Sequence, residues 1–170
     1  MVEAWIALGS NLGNRRSHLR GALREVLRLG RLRAVSPLYE TEPVGLRGQP
    51  EFLNAVARLD TALGARPLLD ALLDIEIRHG RVRGARYGPR TLDLDLLFYG
   101  EAVIREPGLE VPHPRLHERR FVLEPLAAAA PELRHPLLGR TVRELLENLT
   151  GCEAVRLAEG PEWAADLVNP

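Results

Sequence analysis

The stretch YGPRTLDLDLLFY, residues 87–99, constrains the fold more than any other, because Asp93 and Asp95 interleave there with Leu92, Leu94 and Leu96. Side chains in a strand alternate between faces, so the three leucines share one face and both carboxylates take the other. The two aspartate Cα atoms then lie about 6.6 Å apart. Burying two unpaired carboxylates costs several kcal/mol each, so this face must meet water, cations or a metal ion. The chain therefore needs a sheet with one dry face and another open to solvent or positive charge.

A chain of 170 residues, 45% hydrophobic and 27% charged, has the composition of a single soluble globular domain. Its 23 basic and 23 acidic residues cancel. No global field draws it to nucleic acid or an anionic membrane, and any anion site must be local. Apolar stretches such as FVLEPLAAAAP are too short for a membrane span, and MVEAWIALGS lacks the pattern of a secretory leader. The single Cys152 cannot form an intramolecular disulfide and is read as inert; a cytoplasmic location is expected. All the basic residues are arginine, so a site built on cations must use guanidinium groups, which hold phosphate oxygens through a rigid fork.

Periodicity and punctuation predict a strand at Val2–Leu8 and a helix over Arg15–Leu29, capped by Asn14 and stopped by Gly30. Strands follow at Leu32–Tyr39 and Phe52–Asp60, joined by a Pro- and Gly-rich loop from Thr41 to Glu51, long enough to suggest a function of its own. A second helix runs from near Pro67 to Gly80. The loop 81–90, the aspartate strand, and helices at Arg120–Ala129 and Thr141–Leu149 complete the pattern. The order β-α-β-β-α-β predicts an α+β fold: a ferredoxin-like (split βαβ) antiparallel sheet with helices packed on its face and extra C-terminal helices. Residues 1–150 are read as one domain and 151–170 as a tail, packed or flexible.

Chemistry concentrates at RHGRVRGARYGPR, residues 78–90, where Arg78, Arg81, Arg83, Arg86 and Arg90 occur with no acid among them. This positive loop runs straight into the two aspartates. Arginines bind phosphate, and Mg²⁺ favours one or two carboxylates together with substrate phosphates, so the juxtaposition suits a metal-bound polyphosphate. The same residues would also serve as a solvated loop whose arginines neutralise the aspartates. Neither GxxxxGK[ST] nor GxGxxG occurs. His113, between Pro112 and Pro114, can contact a phosphate or satisfy its own loop. Phe52 and Asn54 share a strand face, which suits either an aromatic plate beside an amide that reads a ligand edge or, by default, a buried aromatic beside a structural Asn. GSNLGN after the first strand reads as a turn and helix cap rather than a phosphate site.

GRVRGARYGPRTLDLDLLFYG resembles the signature of the 6-hydroxymethyl-7,8-dihydropterin pyrophosphokinases of the folate pathway. The resemblance extends to IALGSNLGN, YETEPVG, QPEFLNAV and VPHPRLHERRFVLEPL, spanning roughly Ala4 to Leu133. It implies transfer of pyrophosphate from ATP to the pterin hydroxymethyl group, with release of AMP. By position, Asp93 and Asp95 would hold two Mg²⁺ ions, and Arg81, Arg83, Arg86 and Arg90 would act from a catalytic loop. Arg81 and Arg90 would also bind ATP, with Glu76, His113 and Arg119. Thr41, Val44 and Asn54 would meet the pterin edge, and Phe52 and Phe121 would sandwich its ring. The chain departs from the family pattern at Tyr87, where tryptophan is commoner, and at Gly108 and Glu110, where some members place Arg and Thr.

Small-molecule substrates and a monomer are therefore expected, with neither nucleic acid nor membrane as partner. Two rivals remain at this stage. A nucleic-acid-binding module would use the arginine loop on phosphates, and a metal-dependent nuclease would use the same aspartate pair.

Overall fold

The structure, a computed structural model, describes residues 1–42, 48–80, 91–151 and 153–169. In chain order the elements are β1 (Val2–Ser10), α1 (Arg15–Val26), β2 (Arg31–Val35), β3 (Leu38–Thr41), β4 (Phe52–Thr61), α2 (Ala65–Arg78), β5 (Asp93–Tyr99), β6 (Ile104–Glu106), β7 (Leu109–Val111), α3 (Arg120–Ala129), α4 (Val142–Glu147) and β8 (Val155–Glu159). Short 3-10 turns cover Leu116–Glu118 and Pro161–Leu167. Among the described residues no helix is long and apolar enough to cross a membrane.

The main sheet is antiparallel, ordered β5-β1-β4-β3-β8, with β2 also paired to β4. Its first half is the expected split βαβ arrangement. The single strand anticipated at Leu32–Tyr39 is two, because Pro37 has no N–H to continue a ladder. Ser36 bridges the break: its N–H donates to Val56 O at 2.9 Å and its Oγ accepts from Val56 N at 2.9 Å. The helix after β1 is capped as the sequence predicts, Asn14 Oδ1 accepting from Ser17 N at 3.1 Å. The turn beyond it passes so close to β4 that a Cβ at Gly30 would lie 2.2 Å from Asp60 O.

The sheet is dry on both faces, over different stretches. Leu19, Ala22, Leu23 and Val26 of α1 and Leu68, Leu72 and Ile75 of α2 bury against Ile6, Leu8, Leu94 and Leu96. On the opposite face Val122, Leu123 and Leu126 of α3 and Val142 and Leu145 of α4 cover Trp5, Val56, Leu97 and Phe98. The C-terminal helices thus form a second layer. A bulge governs the change in character along β5: Ile6 pairs with Leu96 but Trp5 pairs with Phe98, leaving Leu97 as the extra residue. Both Leu97 and Phe98 join the α3 layer. The face of β5 that carries aspartate therefore turns apolar immediately past Asp95.

Two elements escape the sequence pattern. The hairpin β6–β7 turns at Pro107-Gly108, with Gly108 at φ 76°, and is tied to the start of α2 by Arg66 Nη2 donating to Pro107 O at 2.8 Å. Strand β8 pairs with β3. Beyond it Trp163 is 1% exposed and its indole N–H donates to Ser36 O at 2.8 Å. Trp163→Ala is expected to lower the unfolding free energy by about 3–5 kcal/mol, the usual range for emptying so large a buried site, read from urea denaturation midpoints.

Candidate active site

The site grows from the register of four strands. Asp93 stands opposite Gly9, Gly9 opposite Asn54, and Asn54 opposite Tyr39, while Asp95 stands opposite Ala7, which is opposite Val56. Paired residues share a face, so both carboxylates and the Asn54 amide lie on the side covered further along by α3. Gly9 makes room between them. A Cβ there would come 2.8 Å from Asn54 Oδ1 and 3.6 Å from the Phe52 ring. Thr41, opposite Phe52, accepts at Oγ1 from Asn54 Nδ2 at 2.6 Å, and both residues are buried.

Glu76 reaches the site from α2. It is 2% exposed, and its Oε2 accepts from Leu94 N at 2.7 Å. A buried carboxylate thereby grips the backbone between the two aspartates and ties that part of β5 to α2. That is a different part from the ATP contact the resemblance implies for it.

His113 follows the cis Val111-Pro112 peptide and is pinned to β5 by its N–H donating to Leu97 O at 2.8 Å. Its Nδ1 accepts from Arg115 N at 3.2 Å, which assigns the ring proton to Nε2 in the neutral imidazole. Burial, foremost, and then the charge of Arg119 push its pKa down to about 4; Asp93 opposes that shift and Arg115 adds to it. At neutral pH the ring is an uncharged donor. The start of α3 brings in Phe121, with the Arg119 guanidinium 5.6 Å from its ring centroid.

These groups line one cleft of about 740 Å³, within the usual range for small-molecule sites. Thr41, Phe52, Asn54, Glu76, Asp93, Asp95, His113, Arg119 and Phe121 all border it. Val44, Arg81, Arg83, Arg86 and Arg90, with Tyr87, lie outside the described residues. The cleft also takes in Gly108 and Glu110 of the β6–β7 hairpin, Leu73, Arg115 and Glu153. Gly9 carried a legible signal, since glycine inside a strand marks close approach. Leu73, 45% exposed, had none beyond its place on a helix. Among the described lining residues, carboxylates outnumber guanidinium groups eight to two.

Among the described residues no group of three or more His, Cys, Asp or Glu is arranged to hold an ion by itself. The model of the family described as 7,8-dihydro-6-hydroxymethylpterin-pyrophosphokinase matches residues 5–131. The 2-amino-4-hydroxy-6-hydroxymethyldihydropteridine pyrophosphokinase of Pseudomonas aeruginosa is 53% identical over 146 residues, 85% of this chain and 90% of that protein. Its namesake from Haemophilus influenzae is 40% identical over 159 residues, 92% and 99% respectively. In the crystal structure of wild-type Plasmodium falciparum HPPK-DHPS the same fold recurs, with a TM-score of 0.70 at 17% identity over 86% of this chain; this chain spans only 44% of that one. A matched region that takes in the register-built floor, the aspartates and the start of α3 places this chain in the 7,8-dihydro-6-hydroxymethylpterin-pyrophosphokinase family.

Proposed function

We propose that the protein transfers the terminal pyrophosphoryl group of ATP to the hydroxymethyl oxygen of 6-hydroxymethyl-7,8-dihydropterin. The oxygen bonds to the β-phosphorus and loses its proton, the bridge between the α- and β-phosphorus breaks, and AMP departs. The observation that carries this reading is the pair of same-face aspartates on the floor of an acid-lined cleft. Nucleic acid is disfavoured because the chain's 23 basic and 23 acidic residues cancel, leaving no global field for a phosphate backbone.

Asp93 and Asp95, two carboxylates on one face, fit a metal that completes its coordination with phosphate oxygens, as Mg²⁺ does. When bound, two Mg²⁺ ions supply charge neutralisation and alignment of the attacking and leaving oxygens. The protein's own groups do the rest. Glu76 holds the aspartate strand in place through Leu94. His113 offers a neutral Nε2–H, and Arg119 a permanent charge, to the nucleotide phosphates. At the other end of the cleft, Phe52 and Phe121 flank the pterin ring, and Asn54 with Thr41 and Val44 reads its hydrogen-bonding edge. Arg81, Arg83, Arg86 and Arg90 would add cations over the triphosphate and exclude water that would otherwise hydrolyse it. The chemistry needs no second copy of the chain, consistent with a cytoplasmic monomer.

AMP release by the purified protein with Mg²⁺-ATP is expected only when the pterin is added; AMP formed equally without it, or none from folded protein in either case, would refute the assignment. Asp95→Ala is expected to fold normally by circular dichroism yet lose about 10³-fold in turnover, as the loss of several kcal/mol of metal-borne stabilisation requires. For His113, folding favours the neutral form, so its contribution to stability is complete above pH 6.5 and is lost as pH falls toward 4. In metal-free protein an NMR titration should give a midpoint of about 4, lower in Asp93→Asn and higher in Arg119→Gln. A wild-type midpoint near 6.5 would overturn the burial of this ring beside Arg119 as the cause of its shift.

A further inference from the structure

We infer that β8 is a working part of the acceptor end of the cleft, with Arg156 as a positioning residue for the pterin; this rests on the function proposed above. Strand β3 has β4 on one side and β8 on the other. Thr41 stands between Phe52 and Val155 in a row that faces the cleft. The neighbouring row, Leu53, Glu40 and Arg156, points to the opposite side of the sheet.

Behind the site, on that opposite side, an ionic lattice joins three elements. The Arg156 guanidinium contacts Glu40 at 3.3 Å and Glu51 at 2.5 Å. Arg15, at the start of α1, meets Glu40 at 3.4 Å and donates to Glu51 O at 2.9 Å. Glu40 directly precedes Thr41, and Glu51 directly precedes Phe52. Thr41 and Phe52, at the end of β3 and the start of β4, are thus both held from the back by the same two guanidinium groups. Glu153, two residues before β8, lines the cleft.

The segment after β8 is anchored independently of this lattice. Arg16 pairs with Glu159, Arg20 with Asp166, and Leu32 N with Asn169 Oδ1 at 2.9 Å. Exposed ion pairs contribute little to global stability, and Arg156 is about half exposed. Its lattice therefore matters for where Thr41 and Phe52 stand rather than for whether the chain folds. The aspartates lie at the far edge of the sheet on β5, so the two substrates should respond differently.

The test measures the dissociation constants of 6-hydroxymethyl-7,8-dihydropterin and of Mg²⁺ with a non-hydrolysable ATP analogue, with melting temperature as the check on folding. Arg156→Glu is expected to weaken the pterin about tenfold while the nucleotide stays within about twofold, and Arg156→Glu/Glu51→Arg to recover most of the loss. Arg156→Gln gives the same readout with a smaller perturbation if the reversal fails to fold. Unchanged pterin binding in the single variants, equal loss of both ligands, or no recovery on charge exchange would each overturn the inference. Failure of the wild-type protein itself to bind the pterin would overturn the proposed function, and the inference with it.

Discussion

The antiparallel pairing of β5 against β1 decides which way Asp93 and Asp95 face, because Leu94 and Leu96 can be dry only where α1 and α2 pack. A slip of one residue would turn both carboxylates into that core and the leucines out of it. Each exposed leucine would forfeit roughly 1.5–3 kcal/mol, before any cost of burying charge. The direction of the aspartates is thus enforced by where Leu94 and Leu96 must pack. Gly9 and Ala7 then set what stands beside them, and Glu76 holds the strand from below through its bond to Leu94.

Asp93 and Asp95 stand on one face at the floor of the cleft, and like charges so close are held together best where cations lie near them. His113 is different: burial beside two arginines keeps it uncharged, so it adds a donor without adding a further cation.

The part of this architecture legible in sequence is the part governed by local rules. The period of two in LDLDL, the Asn14 cap and the bounds of α3 each follow from residues within a few positions of one another. Strand β8 follows no such rule: of VRLAE only Val155 and Leu157 are strongly apolar, and Leu157 is 64% exposed. It is a strand because β3 presents unpaired backbone groups to it from more than a hundred residues away. Glu76 was legible as a site residue through family resemblance, but its bond to Leu94 depends on how α2 lies across β5. The pterin contacts were readable only by resemblance, because Thr41, Asn54 and Phe121 come from elements whose meeting no local pattern announces.

Strand order also governs how the molecule is made. A chain emerging from the ribosome can lay β4 against β1 once residue 61 is free, yet the pairing of Ala7 with Asp95 waits for β5, and the outer side of β3 waits for β8. Until then β3 offers a bare row of N–H and C=O groups, the template on which neighbouring chains pair and aggregates grow. When β8 arrives it covers that row and brings Arg156 and Glu159 to the new edge, where charge discourages further pairing. A copy broken off before β8 is therefore unprotected as well as incomplete, and its exposed edge is what a chaperone or protease can recognise.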